Sequence, residues 1–315
     1  MLFRSRYHCC NTDGRNGHGQ RCLPDPSQAV HNVCRLGPWP LPGTSPTTVR
    51  DMSQFPRRPF RFGVQADNAP TRAAWTDLAR RCEDNGYSTL TMPDHFGDQL
   101  APIPALQAAA DATTRLRVGA LVFDNDYKHP VVLAKELATI DLLSEGRLEI
   151  GVGAGWMVSD YEQTGMPYDR AGVRVDRFAE GLDIIKRSFA DGAFDHSGTH
   201  YAIKGYNGLP KPIQKPHPPI LIGGGGKRVL GIAAREADIV GINGTMESGV
   251  IDPAVLRTMT AASVDEKAQY VLDAAGTRLD QIEMNVRAFM VNVTDDRAGM
   301  MARISQAVGF TTDEI

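Results

Sequence analysis

From Phe60 onward the apolar positions follow two alternating rhythms. Short runs in which almost every residue is apolar give way to segments whose apolar residues recur three or four apart, the alternation of strand with amphipathic helix. F-R-F-G-V-Q (60–65) predicts a first strand. Pro70 then suits the first turn of a helix with Trp75, Leu78, Ala79 and Cys82 on one face, ended by Asn85-Gly86. S-T-L-T-M (88–92) predicts a second strand, an alanine-rich segment (104–113) a helix, and L-R-V-G-A-L-V-F (116–123) a third strand. His129-Pro130 opens the next helix, with Leu133, Leu137 and Ile140 aligned, and Ser144-Glu145-Gly146 stops it.

R-L-E-I-G-V-G (147–153) predicts the fourth strand, and Val175, Phe178, Leu182, Ile185 and Phe189 mark a long helix. Between them, 156–170 reads as a polar excursion without an element of its own. A hairpin is expected near 193–203, followed by a Pro/Lys loop, the strand P-I-L-I-G (219–223), a helix from 227 and the strand D-I-V-G-I-N (238–243). A helix over 253–275, the strand M-N-V-R-A-F-M-V-N-V (284–293) and one more helix complete the series.

Strand and helix taking turns is the pattern of parallel α/β architecture. The polar motifs all follow strands, which favours an α/β (β/α)8 TIM barrel, whose chemistry sits on the loops at the C-terminal ends of its strands. The pattern supplies seven such strands, so the barrel is expected to lack its C-terminal β/α unit. A doubly wound sheet would carry G-x-G-x-x-G after the first strand; here the turn reads A-D-N-A-P (66–70).

Composition narrows the function more than the fold. With 315 residues, 42% hydrophobic and 23% charged, the chain can bury a large core. A formal net charge of −3 supplies no basic field for nucleic acid, and no apolar run approaches the roughly 18 residues of a membrane span. A small-molecule substrate is the remaining default. Residues 1–51 differ from the rest, with four of the five cysteines, six prolines, six arginines and no lysine. They carry neither strand nor helix periodicity and no secretory apolar stretch, so a cytoplasmic protein is expected. Cys9, Cys10, Cys22 and Cys34 show no zinc-site spacing, and no metal is expected. The segment reads as an extension outside the fold, with translation beginning at Met52 and residues 52–315 forming the barrel domain.

Three stretches carry candidate chemistry. L-T-M-P-D-H-F (90–96) ends a strand on Asp94 and His95, and imidazole titrates near neutrality, which suits proton transfer. Adjacent residues on a strand face opposite ways, so Asp94 is not expected to bond His95 directly. Gly223–Gly226 lie between a strand and a helix, where backbone N–H groups can face an anion, with Lys227 and Arg228 adding charge. G-V-G-A-G-W (151–156) leaves room for a flat ring to approach the backbone. His196 and His200, flanking the hairpin, read as surface residues.

Together with V-G-A-L-V-F-D-N-D-Y-K-H-P (118–130) and S-E-G-R-L-E-I-G-V-G-A-G-W (144–156), these stretches resemble the luciferase-like monooxygenase superfamily, over about residues 60–310, in its branch that uses the deazaflavin coenzyme F420. The resemblance implies a TIM barrel with the cofactor ring at its C-terminal mouth and the phosphate tail near the fifth strand. It implies a non-proline cis peptide at Leu121–Val122, His95 as the catalytic proton carrier, and cofactor contacts from Asp94, Leu121, Val122, Phe123, Gly153, Gly155, Ser159, Gly224, Gly225, Gly226, Arg228 and Val229. Trp156, Met157 and Tyr161 would line a substrate pocket.

The implied activity is hydride transfer between F420 and a small organic substrate. An FMN-dependent two-component monooxygenase, using O2 and flavin from a partner reductase, is the alternative; an F420 reductase would be the corresponding partner of the first reading. Sugar-phosphate dehydrogenases of the family have an acid where Trp156 stands and a tryptophan where Gln99 stands, which argues against glucose-6-phosphate. A homodimer is a further implication of the resemblance. A third reading is a truncated, non-catalytic fragment, because seven strands leave two open edges unless the extension or a second subunit covers them.

Overall fold

The computed structural model describes residues 54–288 and 291–311. The expectations for residues 1–51 and their four cysteines lie outside the described residues. In chain order, β1 (Gly63–Gln65), α1 (Arg72–Asp84), β2 (Thr89–Met92), α2 (Pro102–Asp111), β3 (Arg117–Ala120), β4 (Phe123–Asp124), α3 (Pro130–Leu143) and β5 (Leu148–Gly153) form the first half. Then follow α4 (Val158–Thr164), α5 (Ala171–Phe189), the hairpin β6 (Phe194–Ser197) and β7 (Ala202–Tyr206), β8 (Ile220–Gly224), α6 (Lys227–Glu236) and β9 (Ile239–Ile242). The helices α7 (Pro253–Arg257) and α8 (Ala261–Ala275), a 3-10 turn over 276–281, β10 (Glu283–Val286) and α9 (Arg297–Val308) complete the described chain.

The main sheet runs β1-β2-β3-β5-β8-β9-β10, with β4 continuing the line of β3 along β5. Its pairings are all parallel. Helices cover it, and β5 and β9 are buried along their whole length, as strands shielded on both faces must be. The core is mainly aliphatic, with Leu90, Leu106, Leu137, Ile150, Ile220 and Val240 fully buried beside the rings of Trp75, Phe178 and Phe189, and Cys82 serves there as the expected small hydrophobe.

The sheet curls. Arg61, at the start of one edge, pairs with Glu283 at the start of the other (2.9 Å) and with Glu149 of β5 (2.7 Å), to which Arg117 also bonds. Three strands far apart in the sheet order are thus tied together at their N-terminal ends. Above this tie β1 and β10 remain unpaired with each other among the described residues. The seven strand positions and the parallel order agree with the sequence pattern.

Four boundaries differ from it. The third strand is two, interrupted at Leu121–Val122, whose peptide bond is cis. The seventh strand stops at Val286 rather than 293, and Val291 and Val293 are exposed. The helix over 253–275 breaks at Thr258–Thr260, where Thr260 caps α8 by accepting from Ser263 N–H. The excursion 156–170 contains α4. His196 is also corrected: it is no plain surface residue, because its Nε2 lies 2.9 Å from Glu180, whose carboxylate accepts the N–H groups of Thr199, His200 and Tyr201 and so clamps the hairpin. No helix among the described residues is long and apolar enough to cross a membrane.

Candidate active site

Parallel strands deliver their C-terminal ends to one face, so the turn after β2 and the glycine run ending β8 lie at the same end of the sheet. At the β2 turn, Asp94 and His95 diverge as adjacent strand residues do. Asp94 Oδ2 accepts the Asp124 N–H (3.2 Å) at the end of β4. His95 turns to α4, where its Nδ1 lies 2.7 Å from Asp160 Oδ2. A carboxylate can only accept, so these partners assign the ring proton to Nδ1 and leave Nε2 bare in the neutral imidazole. Among the described residues Nε2 has no hydrogen-bond partner, while Trp156 packs edge-on against the ring (5.5 Å).

Asp160 is the residue that sequence reasoning missed. It is 3% exposed and also accepts from Tyr127 Oη (2.8 Å) and the Phe96 N–H (3.3 Å). Three donors on one buried carboxylate fix its orientation, and it fixes that of His95. The signal available was an acid in the first turn of a short helix, hidden in a segment with no periodicity. Burial, with Asp124 and Asp160 nearby, pushes the Tyr127 phenol far above its ordinary range, so it stays a donor.

His95, Gln99, Met157, Ser159 and Asp160 line a cleft of about 240 Å³. Ser159 and Met157 therefore line the same cleft as the histidine. Tyr161 does not. It is 1% exposed and aims its hydroxyl at Asp124 and Asp126 (3.2 and 3.0 Å), away from this cleft. It borders a second cavity of about 330 Å³ with Arg177 and Tyr201. The Phe123 ring is buried in the core.

The strand glycines serve packing. A Cβ on Gly153 would stand 2.7 Å from Val122. Gly155 adopts φ +72°, and a Cβ there would fall 1.9 Å from Tyr161 Oη and 2.5 Å from Asp124 Oδ2. Its Cα face is therefore filled by protein. Leu121 offers its carbonyl to Gln65 Nε2 (3.0 Å), another group the sequence did not single out.

The glycine run after β8 is different. Gly225 presses against the chain after β9, with a Cβ position only 2.4 Å from the Gly244 carbonyl oxygen, and Val229 covers Gly224. Gly226 caps α6 with no side-chain bond and open space around its Cα. The first intrahelical bond runs from Leu230 N–H to the Gly226 carbonyl, which leaves the N–H groups of Lys227, Arg228 and Val229 ahead of the ladder. The Arg228 side chain is turned to Asp176 and the Gly172 carbonyl, and Lys227 lies over the Tyr270 ring (5.5 Å). The two cations are thus engaged elsewhere, and what could face an anion at this turn is the backbone N–H groups. Behind it the buried ammonium of Lys267 holds the carbonyls of Asn243 (2.8 Å) and Thr258 (2.5 Å).

Two relatives and one solved structure resemble this chain. The chain is 32% identical over 199 residues to the FMNH2-dependent dimethylsulfone monooxygenase of Pseudomonas putida, covering 60% of this chain and 54% of that protein. It is 26% identical over 236 residues to the F420-dependent glucose-6-phosphate dehydrogenase of Microbacterium testaceum (strain StLB037), covering 71% and 66%. The matches thus span between half and two thirds of those relatives' lengths. The coenzyme F420-dependent tetrahydromethanopterin reductase of Methanopyrus kandleri shares the fold, with a TM-score of 0.61 and 21% identity over 78% of this chain and 72% of that one. The sequence profile of the luciferase-like monooxygenase family matches residues 58–306, and the chain belongs to that family.

Proposed function

We propose that the protein is an oxidoreductase that moves a hydride between coenzyme F420 and a small organic molecule, with His95 as the proton carrier. The observation that carries this reading is the bare Nε2 of an imidazole whose other nitrogen is held by a buried carboxylate, beside a cleft at the strand-end face. The residues fit such a cofactor. The open first turn of α6 offers N–H groups to a phosphate, and Gly226 leaves space there. Asp94, Leu121, Val122 and Ser159 are the residues we assign to the ring side.

When bound, F420 supplies the hydride, and its two-electron chemistry requires a separate proton for the substrate. His95 takes or gives that proton at Nε2. Asp160 holds the Nδ1 proton and stabilises the imidazolium formed when Nε2 is loaded. Trp156, edge-on to the ring, shields one side of the imidazole.

The alternative is an FMN-dependent monooxygenase served by a separate flavin reductase. It is favoured by the identity to the Pseudomonas enzyme. Titrating the full chain with F420 and with FMN separates the two. The true cofactor should raise the melting temperature progressively with its concentration, through a stabilisation of about 2.7 kcal/mol at a hundredfold excess over Kd. A melting curve unmoved by either would remove the oxidoreductase reading.

A further inference from the structure

The number of protons available around Tyr161 singles out Asp124. The Tyr161 hydroxyl lies 3.0 Å from Asp126 Oδ2 and 3.2 Å from Asp124 Oδ2, and a phenol has one proton to donate. Asp126 is the ionised partner, because Arg177 grips both its oxygens, Nε on Oδ1 and Nη2 on Oδ2, each at 2.8 Å. The phenol proton therefore goes to Asp126. That leaves the Asp124 oxygen facing a phenolic oxygen with nothing between them. In a site that is 7% exposed at Asp124 and 1% at Tyr161, such a contact requires a proton on Asp124. Its other oxygen accepts the Asp126 N–H (2.8 Å), so the proton belongs on Oδ2.

We infer that Asp124 is a positioning residue: as a neutral acid it donates from Oδ2 to Tyr161 and thereby latches α4, and with it Asp160, in place against His95. The inference rests on the reading of His95 as proton carrier. Tyr161 follows Asp160 directly on α4, so the helix cannot leave the end of β4 without drawing Asp160 from the imidazole.

The groups facing Asp124 leave its charge poorly compensated. From the end of β2 comes Asp94, which accepts the Asp124 N–H. From its own loop come Asp126 and Tyr127, with Lys128 beyond them already paired to Glu136 (2.6 Å). From α4 comes Tyr161. From α5 come Arg177, bound to Asp126 and Asp169, and Arg174, whose guanidinium is 6.0 Å from the Tyr161 ring. Burial pushes the Asp124 carboxyl up to about 7, and the charges of Asp126 and Asp94 act in the same direction. Above neutrality Asp124 loses its proton, and the single phenol proton then faces two carboxylates. The latch opens.

Hydrogen exchange of the α4 amides (158–164) in the full chain, corrected for intrinsic rates, tests this. In the wild type, protection should fall by up to about tenfold per pH unit between the ordinary aspartate value of about 3.9 and about 7, and level off above it. Asp124→Asn keeps an oxygen for the Asp126 N–H and a donor for Tyr161, so its α4 protection should stay flat over the same range. Tyr161→Phe should be weakly protected throughout while α1–α3 keep their protection. Equal pH dependence in the wild type and Asp124→Asn, or none in either, would overturn the latch. If the variants fail to fold, infrared spectra of the wild type decide: a protonated aspartic acid band must be present below neutrality and vanish above it. A pH-dependent latch together with full turnover in His95→Ala would leave the latch standing and remove the proton-carrier reading instead.

Discussion

Replacing Asp160 by asparagine changes one atom and should change which nitrogen of His95 carries its proton. In the native protein Oδ2 accepts from His95 Nδ1 (2.7 Å) and Tyr127 Oη (2.8 Å), and Oδ1 accepts from the Phe96 N–H (3.3 Å). Asparagine has one oxygen for these roles. With that oxygen toward His95, the amide NH2 would face the Phe96 N–H, donor against donor in a buried site. With the oxygen toward Phe96, the NH2 donates to Nδ1 and to the tyrosine oxygen, and no donor is left facing another. The second arrangement wins, and it forces the imidazole proton onto Nε2. A hydrogen bond to a charged group is worth about 1.5–3 kcal/mol and a neutral one about 1 kcal/mol. The loss of about 0.5–2 kcal/mol corresponds to about 2- to 30-fold in a step that makes His95 cationic. Nitrogen NMR of the His95 ring in the full chain reads the tautomer without any substrate. A variant whose proton stays on Nδ1 refutes the argument, whatever its turnover.

Other outcomes follow from the same geometry. His95→Ala should retain cofactor affinity and lose about a hundredfold in turnover, read by cofactor titration and single-turnover kinetics. Gly225→Ala, whose Cβ would meet the Gly244 oxygen at 2.4 Å, should weaken F420 binding by at least about tenfold yet leave its phosphate-free deazaflavin core little changed. Gly226→Ala, at φ −88° with nothing near its Cβ position, should fold without strain yet place a methyl in the space assigned to the phosphate, so it too should weaken binding of that cofactor while leaving the melting temperature of the free protein unchanged. Glu83 is partly buried, which works against its charge, but the N–H groups of Thr114, Arg115 and Leu116 together bring its carboxyl down to about 2. Its stabilisation is complete above the ordinary glutamate value of about 4.3 and is lost as pH falls toward that depressed value. The melting-temperature gap between the wild type and Glu83→Gln should close over that window.

The fold was legible because its signal is repeated. Strand after strand shows the same contrast between a short apolar run and a helical stripe, so an error at one boundary, such as the overextended 284–293, leaves the order intact. That overextension has a physical cause: Phe289, Val291 and Val293 are good strand formers by type, yet a strand needs a neighbour, and among the described residues β10 pairs only with β9, which itself ends at Ile242, opposite Val286. The short helix α4 failed for the opposite reason. Its seven residues span too few turns to show a period, and Asp160 and Tyr161, its buried pair, are polar or amphipathic.

Glycine carried two meanings that spacing alone did not separate. In G-V-G-A-G-W the absent side chains make room for protein: Val122 behind Gly153, Tyr161 and Asp124 against Gly155. In the run after β8 the first glycines are packed in the same way, and only at Gly226 does the space open toward a helix end with unpaired N–H groups. What distinguishes a cradle from a crowded corner is the direction in which the missing Cβ would have pointed, and that depends on neighbours tens of residues away. The same holds for His95. A histidine after a strand is ambiguous until its partner is known, and the partner lies 65 residues later on an element the pattern does not reveal. Chemistry in this chain is therefore set by long-range pairs, His95 with Asp160 and Asp124 with Tyr161, whereas architecture is set by local repeats.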